Sequence, residues 1–124
     1  MDKLAKILER QGWVELEIDR KQKKISENLL FKIAHPINVF LNEMALAYGK
    51  TKSDIIRECL NLAFQNLDRN EVIELSSSLL FSRLDTVSIR VPIELKRELE
   101  KKASSINVGV SDLIRYSIAK KFLY

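Results

Sequence analysis

The side chains capable of covalent chemistry are few. The chain has one histidine, His35, and one cysteine, Cys59. No Cys/His zinc cluster can be assembled from that inventory, and no cysteine stands near a histidine in the sequence to be activated by it. The three glycines, at positions 12, 49 and 109, are scattered, so a phosphate-binding glycine loop is absent. His35, beside Pro36 and without a second ligand, reads as a structural residue, and Cys59 as a small apolar residue of a helix. No catalytic residue, metal or cofactor is expected, and enzymes are the class the inventory argues against. What remains is recognition through charge and hydrogen bonding. Twenty-one Lys and Arg against seventeen Asp and Glu give a net charge of +4, compatible with a polyanionic partner.

Composition bounds the setting of that chemistry. At 124 residues, 46% hydrophobic and 31% charged, the chain is long enough for one ordinary domain or two very small ones. Three glycines and two prolines leave few tight turns, which predicts a mainly helical structure. The longest apolar run, Met44–Tyr48, falls far short of the ~20 residues of a membrane span. The early charges Asp2, Lys3 and Lys6 leave no signal-peptide core. A lone cysteine forms no internal disulfide and suits a reducing interior, so the cytoplasm is the expected compartment. Neither a membrane nor a small-molecule ligand is expected as a partner.

The chain also repeats itself. Ser53-Asp54-Ile55-Ile56-Arg57 recurs as Ser111-Asp112-Leu113-Ile114-Arg115. The same offset, without a gap, lays 28–66 over 86–124, with further identities at Leu41/Leu99, Ala45/Ala103 and Phe64/Phe122. Two motifs, 28–67 and 86–124, therefore follow a leader, 1–27, and are joined by a connector, 68–85.

Each copy reads as strand, helix, turn, helix. Thr86 to Val91 alternates polar and apolar, the period-two pattern of a half-buried strand, and Pro92 ends it. Leu95, Leu99, Ala103 and Ile106 form one helical stripe; Leu113, Ile114, Ile118 and Phe122 form another after the break at Asn107-Val108-Gly109. In the first copy Leu29–Ile33 is the strand and Ile37–Tyr48 the first helix. Gly49 supplies its left-handed stop, and Thr51 with Asp54 a capping box for the second helix. Gly109 holds the cap position in the second copy. Asp54/Arg57 and Asp112/Arg115 have the spacing of an ion pair along a helix. A unit of this size cannot bury enough surface alone, and its strand would expose both edges. Two units remove both difficulties if the strands pair antiparallel and four helices cover their apolar face.

These residues resemble the ribbon-helix-helix family, whose signature is a strand, a helix and then a segment like Gly49–Glu58, repeated in degenerate form at Asn107–Tyr116. The implied fold is mainly α with a two-stranded antiparallel ribbon, a tandem ribbon-helix-helix pseudo-dimer within one chain. Members are normally homodimers. Two copies in one chain are similar to the fused regulators of viruses of hot-living archaea, with which thirteen lysines and thirteen isoleucines agree.

The resemblance implies double-stranded DNA as partner, read by a ribbon in the major groove. Alternation points Leu29, Phe31, Ile33, Val87, Ile89 and Val91 inward, and Asn28, Leu30, Lys32, Thr86, Ser88 and Arg90 outward. Arg90 and Lys32 suit guanine, Asn28 adenine, Thr86 and Ser88 either, and Leu30 a thymine methyl. An ordinary solvated strand face would carry both signs of charge, yet none of the six is acidic. By the same resemblance Lys52, Ser53, Val110 and Ser111 stand at helix N-termini that would contact phosphates. Ser53 and Ser111 have the plainer alternative of helping to cap their helices. The expected function is a sequence-specific transcriptional regulator, self-associating on DNA into dimers or higher oligomers. An antitoxin-type interaction module that neutralises a partner is the alternative.

Three flanking features complete the reading. Leu4, Ile7 and Leu8 suggest a short helix, Val14–Asp19 alternates like a strand, and Arg20–Lys24 is a basic run suited either to a phosphate backbone or to a solvated loop. In the connector, Val72, Ile73, Leu75, Leu79, Leu80 and Phe81 predict a third helix across Glu71–Leu84.

Overall fold

The computed structural model describes residues 26–124. The features expected ahead of Ser26 lie outside them. Among the described residues the chain is mainly helical with one two-stranded antiparallel sheet, β1 (Ser26–Ala34) against β2 (Leu84–Pro92). Both strands alternate buried and exposed residues through their centres, as the sequence pattern requires. They extend beyond the alternating cores at both ends. The register pairs Leu29 with Ile89 and Phe31 with Val87 on the inner face, and Leu30 with Ser88 on the outer.

Pro36 sits in the first turn of α1 (His35–Tyr48), where its missing N–H costs no helical bond. Gly49 then takes φ 63°, and the N–H groups of Gly49 and Lys50 close on the carbonyls of Leu46 and Ala45. The second repeat ends its first helix, α4 (Ile93–Ser105), in the same way: Asn107 takes φ 56°, and Asn107 and Val108 donate to Ser104 and Ala103. Asparagine serves where the first repeat has glycine, because its short side chain tolerates the left-handed region. The second helices are α2 (Lys52–Leu60), extended by a 3₁₀ turn at Asn61–Phe64, and α5 (Val110–Phe122).

The connector helix α3 (Arg69–Ser77) is shorter than its apolar residues predict. Val72, Leu75 and Leu79 are buried, but Leu80 and Phe81 are exposed. The chain leaves the helix early because the strand end needs it: the Leu79 carbonyl accepts the Ala34 N–H and the Arg83 carbonyl the His35 N–H, each at 2.8 Å. Ser82, at φ 58°, makes the turn into β2.

One core joins all the elements. Phe31, Ile33, Val87, Ile89 and Val91 meet Leu41, Leu99, Ile56 and Ile114 from the four repeat helices, and α3 adds Val72 and Leu75. The packing is interleaved. Helix α2 of the first repeat lies on β2, helix α5 of the second lies on β1, and α2 and α5 pack on each other. Phe122 is only half-buried and stacks edge-on against Phe40, with ring centroids 5.3 Å apart. Among the described residues no helix is long and apolar enough to cross a membrane.

Candidate nucleic-acid interface

Asn28, Leu30, Lys32, Thr86, Ser88 and Arg90 are all exposed on one face of the ribbon. Their arrangement follows from the register. Leu30 lies opposite Ser88, its own counterpart in the sequence repeat, so the strand register is centred on that pair. Asn28 then lies opposite Arg90 at one end, and Lys32 opposite Thr86 at the other. Leu30, at the centre of this polar face, is a large apolar side chain left 64% exposed.

The ribbon has two open edges, so alternate backbone carbonyls lack a ladder partner. Two arginines supply one. Arg57 donates from Nη1 to the Arg90 carbonyl at 2.7 Å, and Arg115 from Nη1 to the Lys32 carbonyl at 2.9 Å. Each is also ion-paired three residues back along its helix, Arg57 with Asp54 and Arg115 with Asp112. The second helix of each repeat is thereby fastened to an outward-facing residue of the other repeat's strand. The two sites differ in burial. Arg115 is buried and donates from Nε to the Ser76 hydroxyl of α3 at 2.9 Å, whereas Arg57 is half-exposed.

The ribbon ends are held by a second matching set. Glu27 pairs with Lys96, and at the corresponding place Asp85 accepts from the Asn38 amide at 2.9 Å and from His35 Nδ1 at 2.7 Å. His35 is thus a strand-end clamp. Arg90 donates from Nε to the Ser26 hydroxyl at 2.7 Å.

The helix starts are built alike with one difference. The Thr51 hydroxyl accepts the Asp54 N–H at 3.0 Å while the Asp54 carboxylate accepts the Thr51 N–H at 3.1 Å, closing the predicted box. Gly109 has no side chain to complete it, and only the Asp112 carboxylate takes the Gly109 N–H, at 2.9 Å. Lys52, Ser53, Val110 and Ser111 lie in these first turns and are half-buried. Ser111 shares a hollow of about 550 Å³ with Leu30, Lys32 and Thr86, walled by Leu80 and Leu84. Lys52 and Ser53 lie away from it, and the Lys52 ammonium donates to Asn38 Oδ1 at 2.8 Å.

These bonds shape the local charge. The Thr51 amide and hydroxyl, with Arg57, hold the Asp54 carboxyl below the usual carboxylate range, and the Asn38 amide and His35 do the same for Asp85. At Asp112 partial burial opposes ionisation, but the Gly109 amide, the Ser76 hydroxyl and Arg115 outweigh it and lower the carboxyl too. Burial pushes the Cys59 thiol up to about 12. Among the described residues no three His, Cys, Asp or Glu side chains converge as metal ligands would.

Sequence reading missed the anchors Glu27, Asn38, Asp85 and Lys96, and missed the backbone carbonyls as targets of Arg57 and Arg115. A signal was present: Glu27/Asp85 and Asn38/Lys96 are counterparts under the repeat, polar in both copies. Comparison of the chain with family models, with curated proteins and with solved structures finds no match.

Proposed function

We propose that this chain is a sequence-specific double-stranded DNA-binding transcriptional regulator of ribbon-helix-helix type, two motifs forming one pseudo-dimer, which inserts β1–β2 into the major groove. The observation that carries the reading is the outer ribbon face. Six exposed side chains stand on it, two basic and none acidic, centred on the pair Leu30 and Ser88. The interleaving of α2 on β2 and α5 on β1 supports the pseudo-dimer, since the second helix of each repeat packs on the strand of the other. Arg90 and Lys32 address guanine, Asn28 adenine, and Leu30 a thymine methyl, while Thr86 and Ser88 adapt to either purine. The first turns of α2 and α5 present backbone N–H groups and the positive dipole end to phosphates, with Ser111 on the same side as Lys32 and Thr86.

A gel-shift series on the DNA upstream of the protein's own gene tests this. The expected result is a sequence-selective shift that weakens steeply with salt; its absence rejects the reading. Arg90→Ala should cost ~1–3 kcal/mol and relax preference at one base pair. Lys52→Ala should weaken all sequences alike and flatten the salt slope by about one unit.

A further inference from the structure

The two ends of the ribbon's outer face are built differently. On β2 the outward row starts before Thr86, at Leu84, which is exposed in line with Thr86, Ser88 and Arg90. Leu84 lies across from Ala34, at the end that carries Lys32 and Thr86. There Leu30, Leu80 and Leu84 stand around the hollow of about 550 Å³, together with Lys32, Thr86 and Ser111. All three leucines are exposed. A single exposed leucine is ordinary, but three around one hollow make an apolar surface on an otherwise polar face.

The repeat shows that strand pairing does not itself demand leucine there. The counterparts of Leu84 and Leu30 are Ser26 and Ser88, and the same register is kept with serines in those places. The Ser26 hydroxyl accepts from Arg90 Nε, so that end presents a guanidinium and hydroxyls where this one presents branched alkyl groups.

What the hollow can take follows from where it opens. It is continuous with the face that the regulator reading sets against the major groove. The base edges in that groove carry hydrogen-bond donors and acceptors, with one apolar exception, the C5 methyl of thymine. A donor or acceptor pressed on leucine loses its partner, whereas a methyl placed there leaves water at no such cost. We infer that the hollow is a thymine-methyl pocket, in which Leu84 of β2 and Leu80 of the connector join Leu30 in reading the base sequence. Thymine should then lie under this end, beside the guanine addressed by Lys32, while the Asn28–Arg90 end reads by hydrogen bonds. This rests on the DNA reading and deepens it, because residues outside both strand cores become specificity determinants and fix which way one chain lies along its element.

A duplex selected from random DNA by the full chain is the probe, with each thymine replaced in turn by deoxyuridine, which lacks the C5 methyl. Affinity should fall about fourfold for each methyl that enters the pocket, at one or two thymines confined to one end, and should not change elsewhere. Leu84→Ser, which installs the residue of the other repeat, should bind thymine and uracil duplexes equally with an unchanged circular-dichroism spectrum, and Leu30→Ser should do the same. Arg90→Ala, acting at the opposite end, should keep the uracil sensitivity. The deoxyuridine scan uses the unaltered chain and therefore stands even if a variant folds poorly. Uracil duplexes bound as tightly as thymine duplexes, or a methyl effect that persists in Leu84→Ser, overturns the inference and leaves the regulator reading standing. A chain that selects no duplex overturns both.

Discussion

Arg57 and Arg115 hold equivalent places and make equivalent bonds, yet their burial differs, and burial decides what each is worth. Replacing Arg115 by Met leaves Asp112 and the Ser76 hydroxyl short of a partner beneath α3 and should cost about 3 kcal/mol. Arg57→Met, at a half-exposed site, should cost about 1 kcal/mol or less. Urea titration of the two variants compares them directly; equal losses would mean that the α3 contact contributes nothing. The three lowered carboxyls make a second prediction. Asp54, Asp85 and Asp112 bind protons more readily unfolded than folded, so their contribution is complete above the ordinary value of 3.8 and is lost as pH falls through the depressed values. Thermal midpoints should therefore be steady from neutral pH down to about 5 and fall steeply below 4. Asp85→Asn should flatten that fall. A profile unchanged by the substitution would remove Asp85 from the account.

Among the elements, the two left-handed helix stops offer the sharpest comparison. A side chain at Gly49 would meet nothing within 4 Å, so only its φ of 63° resists substitution. Gly49→Asn should be nearly neutral and Gly49→Val should cost ~1–2 kcal/mol. Asn107→Gly should be neutral or gain a few tenths of a kcal/mol, while Asn107→Val should match the loss at 49. Scanning calorimetry on the four variants checks this, and a large loss for Asn107→Gly would show that the asparagine side chain does more than tolerate its backbone. The centres of these elements were legible in the sequence because their causes are local: alternation in Thr86–Val91, the Thr51/Asp54 box, a glycine after Tyr48. Their ends were not. The length of α3 is decided by the Ala34 N–H reaching the Leu79 carbonyl, a bond between residues far apart in the chain. The outward set on the ribbon could be read from period two alone, whereas the arginines fastening it could be placed on their helices but not on the strand carbonyls they reach.

For the molecule as a whole, the strands are its shared wall, and damage there should not stay in one half. Ile89 is 1% exposed and stands across from Leu29, so Ile89→Asp should abolish folding of both repeats in a single transition. A half that remains folded and monomeric in that variant would contradict the interleaved core. The same wall sets the symmetry of what the proposed regulator reads. One end shows Asn28 with Arg90 and the other Thr86 with Lys32, and lysine lacks the bidentate fork of arginine. Selection from random DNA should return an asymmetric element for one chain, and a perfect palindrome within that footprint would argue against the assignment. The pairing of β1 with β2 also has a consequence in time. His35, just past the end of β1, and Asp85, in β2, are 50 residues apart. At the ~5–20 residues per second of synthesis, β1 leaves the ribosome roughly three to ten seconds before its mate does. Through that interval its hydrogen-bonding edges are open to any neighbouring nascent chain on the same message. The exposed Lys32 within it is a charge that disfavours edge-to-edge stacking through that interval.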